Sequence, residues 1–317
     1  MSEIKTFTPG TVANVSCGFD VLGFALDSPG DEMVLRRTVE KTVKITRIDG
    51  YDLPKEPLRN VAGVALLAML KEYRGDAGFE IEIYKKIKPG SGIGSSAASA
   101  AGVVVAANKL LGEPFSKTEL VRFAMEGERL ASGVAHADNI APAIFGGFTL
   151  VRSYAPLDII TLDTPSELFA TVIHPQIEVR TADAREILKK NVLLKDAIKQ
   201  WGNVGGLVAG LMKSDYGLIS RSLEDAIVEP IRSILIPAFQ EVKLKSKEAG
   251  ALGGGISGSG PSIFMLSKGE EAAQQVKMAM ADVYEKVGID FDIHLSKVNQ
   301  TGVKVIAIKE NNEILQS

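Results

Sequence analysis

A chain of 317 residues with 36 lysines and arginines against 39 aspartates and glutamates has a net charge of −3. It carries no bulk positive field to drive binding to nucleic-acid backbones or anionic membranes. A single cysteine, Cys17, excludes an intramolecular disulfide framework and thiolate-cluster metal sites, and three scattered histidines leave no His-rich site. The length suffices for one large or two ordinary domains with a real core. The opening residues show no basic segment followed by an apolar run, and the most apolar stretch, 97–107, is shorter than the roughly 20 residues a spanning helix needs. The expectation is a cytoplasmic protein with neither nucleic acid nor membrane as partner.

Residue patterning predicts strands at 33–39, 42–48 and 79–84, with a helix over 61–73. Ser116 followed three residues later by Glu119 is a capping-box signature and predicts a helix to about 131, and 141–152 reads as a turn into a strand. The segment 154–166, with Pro156 and Pro165, is the expected linker. Beyond it come a strand at 168–173, several helices within 182–222, a helix over 234–249, a strand pair within 251–266, a helix over 270–287, and strands at 291–295 and 303–309. Strands arrive in pairs rather than one per helix, which predicts an α+β fold. Two domains are expected, 1–160 and 161–317.

Glycine is the compositional outlier, 31 residues in all, and the excess clusters. In KPGSGIGSSAASAA (88–101) a strand runs through a Pro/Gly/Ser loop into a helix of small residues. Glycines at 90, 92 and 94 let backbone N–H groups turn toward an anion, and the following helix adds its open donors and positive dipole end. Ser95 and Ser96 can cap that helix, and a hydroxyl there can ligate a phosphate-bound Mg²⁺. The same small residues would also let the helix pack closely on a sheet. No lysine follows the glycines, which excludes a Walker A loop. Gly253-x-Gly255-x-x-Gly258 matches the dinucleotide fingerprint, but it lies between a helix and a strand, the reverse of the required order. No G-x-S-x-G elbow occurs.

The loop PGSGIGSSAAS resembles the second motif of the small-molecule kinases that group galactokinase, homoserine kinase, mevalonate kinase and phosphomevalonate kinase (GHMP kinases), with Ile93 where leucine is usual. TVANVSCGFDVLGFAL (11–26) resembles their first motif, although Val15-Ser16-Cys17 replaces the common leucine, glycine and proline. GGGISGSGPSIF (253–264) resembles their third. The N…GFD pattern of 14–20, ASGVAHADNIAPAIFGG (131–147), T-x-x-A-R (181–185) and EPIRSILIP (229–237) are similar to the homoserine-phosphorylating branch. The resemblance implies an N-terminal domain like domain 2 of ribosomal protein S5, a ferredoxin-like C-terminal domain, and ATP between them. It implies ATP- and Mg²⁺-dependent phosphorylation of the hydroxyl of L-homoserine on the threonine pathway, and a homodimer. A related kinase for another alcohol such as mevalonate, and a non-catalytic nucleotide sensor on the same fold, are the alternatives.

Residue by residue, the resemblance places the substrate carboxylate on Arg185 and Arg232, its ammonium on Asp20 and its hydroxyl end near Asn14 and Asn139. ATP falls to Asn60, to the loop Pro89, Gly90, Ser91, Gly92, Ile93, Gly94, Ser95 and Ser96, and to Thr181 near the γ-phosphate. The metal falls to Ser96 and Glu128. Glu126 lies two residues from Glu128, on nearly the opposite helix face, so only one of them can point inward. Asn60 would serve equally as an N-cap of the 61–73 helix, and Thr181 as the cap of the helix bearing Arg185. Asn139 stands where base-using relatives carry an aspartate, so Asn139, Thr181 and Arg185 are expected to act by positioning and charge neutralisation. Asp138 is the base if the register shifts by one.

Overall fold

The computed structural model describes residues 2–179 and 181–310, without the side chains of 181 and 182. The first sheet is built from β1 (Glu3–Ala13), β2 (Leu22–Thr38), β3 (Val43–Asp49), β4 (Gly78–Tyr84), β5 (Phe148–Tyr154), β6 (Leu157–Leu162) and β11 (Lys304–Lys309). Its order is β11-β1-β2-β4-β3, and the β5–β6 hairpin pairs with the start of β2. Over it lie α1 (Val61–Glu72), α2 (Ser95–Leu110), α3 (Lys117–Ser132) and α4 (Ile140–Phe145). The second sheet contains β7 (Leu168–Pro175), β8 (Gly253–Ile256), β9 (Ile263–Lys268) and β10 (Phe291–Lys297) in the order β10-β7-β9-β8, all antiparallel. Between β7 and β8 run α5 (Thr181–Glu186), α6 (Leu194–Lys213), α7 (Tyr216–Ser222), α8 (Glu229–Arg232) and α9 (Phe239–Glu248), and α10 (Glu270–Val287) joins β9 to β10. This is the α+β arrangement expected, with the second sheet in ferredoxin-like order. Among the described residues no helix is long and apolar enough to cross a membrane.

Local chemistry explains the elements. Ser116 accepts from the Glu119 N–H while the Glu119 carboxylate accepts from the Ser116 N–H, the capping box that starts α3. Helix α2 is almost wholly buried, and its small residues let it lie against the sheet: a side chain at Gly102 would sit 2.5 Å from the Thr8 hydroxyl. Close packing and an open N-terminus coexist in the one helix. The segment 154–166 is not a linker: 157–162 form β6, and the expected boundary at 160 falls inside that strand. The chain also returns at β11 to pair with β1, so the C-terminal stretch does not stay in the second layer.

The two layers share a core. Phe24 of β2 packs on Phe148 of β5 with centroids 4.7 Å apart and on Phe264 of β9 at 5.9 Å, joining the sheets where the three glycine-rich turns meet. Beneath those turns lies a buried ion pair: the Lys85 ammonium donates to Asp31, to the Ser95 carbonyl oxygen at 2.8 Å and to the Ser99 hydroxyl at 3.1 Å. The other Asp31 oxygen accepts from the N–H groups of Lys86 and Ile87 at 2.7 and 2.9 Å. Burial pulls the Lys85 pKa down while Asp31 opposes the shift. Removing the lysine leaves a buried carboxylate unpaired, so Lys85→Met should cost about 3–5 kcal/mol. Lys86→Met, at an exposed ion pair with Glu32, should stay within about 0.5 kcal/mol. Urea titration of both variants checks this; equal midpoints would contradict it.

Candidate active site

Glycines shape the β4–α2 loop. Gly90, Gly92 and Gly94 have φ of 75°, 82° and 67°. A side chain at Gly94 would lie 2.0 Å from the Thr11 hydroxyl, and one at Gly92 would lie 2.7 Å from the Ser257 carbonyl oxygen. Gly94 is the N-cap of α2 and offers no side chain, so the first-turn amides stay open. They face a cavity of about 340 Å³ lined by Pro89, Gly90, Gly92, Gly94, Ser95 and Ser96 of the loop, the geometry of an anion site. Ser91 and Ile93 turn inward instead. Ile93 packs in the core between the layers, and the N–H groups of both residues bond within the loop, so neither is brought into the cavity.

The β8–β9 turn holds the loop in that orientation. Ser257 donates to the Gly92 carbonyl oxygen at 2.7 Å and Ser262 to that of Ser91 at 2.6 Å. Gly258 donates to the Ala13 carbonyl oxygen at 3.2 Å and accepts from the Asn14 side chain at 2.7 Å. Asn14, Val15 and Ser16 are all left-handed, with φ of 71°, 41° and 61°, a conformation that costs of order 1–3 kcal/mol per non-glycine residue. The bonds to Gly258 and the full burial of Val15 and Cys17 hold that turn.

At the metal candidate, Ser96 donates to Glu128 at 2.8 Å. Burial pushes the Glu128 pKa up, and among the described residues no cation pairs with it. A desolvated carboxylate whose one partner is a hydroxyl fits a hard cation. Glu126 points the other way, toward Arg129.

On the opposite wall Arg185 holds Asp20 through both guanidinium nitrogens, at 3.2 and 3.0 Å. Arg232, 3% exposed, donates from Nε to the Ala184 carbonyl oxygen at 2.7 Å. Burial and the neighbouring Arg185 charge pull its pKa down to about 10. Asp20 is left-handed, with φ of 59°, its N–H bonded to the Asn14 side-chain oxygen at 3.0 Å. Both ends of the Asn14 amide are thus engaged in holding Asp20 and Gly258. The Asn139 oxygen accepts the Thr11 hydroxyl at 2.7 Å, which leaves its NH₂ as the group free for the cavity it lines. Asn60 is not brought into the cavity: it caps α1 through the Ala62 N–H and donates to the Pro54 carbonyl oxygen, while its neighbours Val61 and Leu53 line the wall. The expected role of the Thr181 side chain lies outside the described residues.

Sequence reasoning missed three groups here. Lys85 underpins the α2 N-terminus; Phe19 lies under both arginines; His136 sits 3.6 Å from Asp20. The Tyr154 hydroxyl donates to the Asp20 carbonyl oxygen at 2.8 Å. Lys85 and Tyr154 lie in no quoted motif and are recruited by fold-level contacts, whereas Phe19 and His136 lie inside the 14–20 and 131–147 segments, where nothing local marks them out from their neighbours.

A glycine-shaped loop opening onto a helix N-terminus, an adjacent hydroxyl–carboxylate pair and a charged pocket at the seam of two α+β layers are the arrangement of a small-molecule kinase. The family models for the N-terminal and C-terminal GHMP kinase domains match residues 60–147 and 207–286, and the chain belongs to the GHMP kinases. It is 48% identical to homoserine kinase of Chloroherpeton thalassium, covering 96% of this chain and 100% of that one. The crystal structure of homoserine kinase from Cytophaga hutchinsonii is 55% identical with a TM-score of 0.93, covering 96% and 98% of the two chains. A more distant likeness is to L. major mevalonate kinase, crystallised in complex with R-mevalonate, which shares the fold at a TM-score of 0.70 and 16% identity over 94% and 99% of the chains.

Asp138 is a strongly perturbed carboxyl of the cleft. Burial first, then the charges of Asp20 and Glu128, push its pKa up to about 7. Between the unfolded value of about 4 and that point, the folded state keeps a proton the unfolded chain has released, so this group's contribution to stability falls as pH rises through the window. Asp138→Asn should therefore gain more melting temperature over the parent at pH 8 than at pH 5. An equal gain at both would contradict the assignment.

Proposed function

We propose that the chain transfers the γ-phosphoryl group of ATP to the hydroxyl of L-homoserine, and that the Arg185, Arg232 and Asp20 cluster beside the phosphate loop carries this reading. A zwitterion with one reacting hydroxyl needs cations for its carboxylate and an anion for its ammonium. Two guanidiniums and one carboxylate stand together in the cleft, and guanidinium forks grip carboxylates through paired N–H bonds. The identity to homoserine kinases along nearly the whole chain supports the same substrate.

The loop amides and the α2 N-terminus would hold the polyphosphate. Ser96 and Glu128 would hold Mg²⁺, which neutralises phosphate charge when bound. The Asn139 NH₂ can donate to the substrate hydroxyl oxygen and aim a lone pair at phosphorus. The new O–P bond forms as the β,γ-bridging O–P bond breaks, its electrons leaving with ADP. The hydroxyl proton passes to a phosphoryl oxygen. A loose transition state asks little bond-making of the nucleophile, so positioning and charge neutralisation suffice without a dedicated base. Asp138 supports a second reading, since a carboxyl with a pKa of about 7 can accept a proton near neutral pH.

ADP release with ATP and Mg²⁺ should show a clear preference for homoserine over serine, threonine, mevalonate and galactose. Arg185→Met should lower kcat/KM for homoserine by about a hundredfold or more, the scale of a lost charged contact to a bound substrate. Turnover of another alcohol alone would discard the homoserine assignment, and no turnover would favour the nucleotide sensor. Asp138→Asn should retain kcat within about tenfold, whereas a loss of 10²–10⁴, the typical worth of a general base, would establish Asp138 in that role.

A further inference from the structure

Phe19 joins the cleft to a second cavity. The Arg185 guanidinium carbon lies 5.5 Å from its ring centroid and that of Arg232 lies 5.0 Å away. Two cations of like charge therefore converge on one aromatic side chain. The same ring also lines an outer groove with Leu188, Val192, Ile227 and Ile231, so it is the wall between that groove and the active-site cavity. The arginines come from α5 and α8 of the second layer, whereas Phe19 comes from the β1–β2 turn of the first.

We propose that Phe19 is a positioning residue that sets the spacing and direction of the Arg185 and Arg232 forks, and so determines affinity for the substrate carboxylate. This deepens the homoserine reading and rests on it. Each cation is held by hydrogen bonds as well as by the ring. Arg232 is tied through Nε to the Ala184 carbonyl oxygen, and Arg185 through both terminal nitrogens to Asp20. Arg232 adds a bond from Nη1 to the Gly258 carbonyl oxygen at 3.5 Å; such paired bonds set the in-plane direction of each fork and leave the tilt of its plane to what it rests upon. A π-face supplies that surface, and its negative quadrupole lowers the cost of bringing two positive groups together before any carboxylate arrives. An aliphatic side chain of similar size would fill the wall without providing the field. Asp20, the next residue, belongs to the same turn, so the dipeptide Phe19-Asp20 presents both an aromatic floor and a counter-charge to arginines of the other layer.

The test compares Phe19→Leu with Phe19→Tyr, each confirmed folded by thermal melting, in steady-state assays that vary homoserine and ATP separately. Phe19→Leu should raise KM for homoserine about tenfold, the scale of two weakened cation–π contacts, with KM for ATP within twofold and kcat lowered less than threefold. Phe19→Tyr, which keeps the ring, should stay within threefold of the parent in all three. A homoserine KM unchanged in Phe19→Leu, a parallel rise in KM for ATP, or a tyrosine variant as impaired as the leucine one would overturn the proposal. If Phe19→Leu does not fold, Phe19→Met replaces it, and failure of both to fold makes the residue structural and overturns the proposal as well. The parent enzyme run alongside reports on homoserine itself: its failure to turn over homoserine removes the functional reading, whereas only the ratio of variant to parent speaks to Phe19.

Discussion

The β8–β9 turn is the contact on which the site depends. Ser257 and Ser262 pin two carbonyl oxygens of the phosphate loop, while Gly258 bonds both to Ala13 and to the Asn14 side chain. Pinning the Ser91 and Gly92 carbonyls on the side facing this turn fixes the loop with Gly90, Gly92 and Gly94 at the cavity wall, while the Ser91 and Ile93 N–H groups bond within the loop. An anion site of this kind works because its donors need no reorganisation when the ligand arrives. The left-handed turn at 14–16 is equally dependent, since three successive non-glycine residues in that region would not persist without outside bonds.

Much of this architecture is readable in the residues. The 88–101 segment announces strand, loop and helix because each glycine solves a backbone problem at its position, and Ser116 with Glu119 announces a helix start through side-chain chemistry three residues apart. Helix α10 (Glu270–Val287) falls on the span its periodicity gives. The failures have physical causes. β1 hides because Pro9 and Gly10 interrupt it, and the structure absorbs the interruption as a register shift against β2 between Pro9 and Thr11. β6 hides between two prolines, Pro156 serving the hairpin turn rather than a domain boundary.

The candidate site divides along the same line. Residues whose role is fixed by local geometry, such as the loop glycines and the Ser96–Glu128 pair, converge as their motifs imply. Asn60 shows the limit: an asparagine before a helix satisfies a cap and a ligand contact equally in sequence, and the cap is what its hydrogen bonds make. Lys85 is invisible for the opposite reason. It is one of three lysines in the stretch KKIK, and only the fold singles it out by placing Asp31 from β2 beneath it.

The charges of the cleft bear on which alcohol it would accept. Arg185 and Asp20 neutralise each other there. A zwitterion can exchange with that pair one charge for one, its carboxylate taking the guanidinium and its ammonium the Asp20 carboxylate, so both members of the pair stay partnered. An anionic alcohol such as mevalonate could also be gripped by the two arginines, but it brings no cation to Asp20, which faces Asp138, the carboxyl whose pKa burial first and then the Asp20 and Glu128 charges raise. A neutral sugar would gain nothing from either member of the pair. Partly buried charges left without partners are costly, and a site that hydrogen-bonds every polar group of its substrate rejects analogues by large factors. On the proposed homoserine reading, discrimination comes from what the wrong substrate leaves unpaired, and Asp20 is the residue that would impose it.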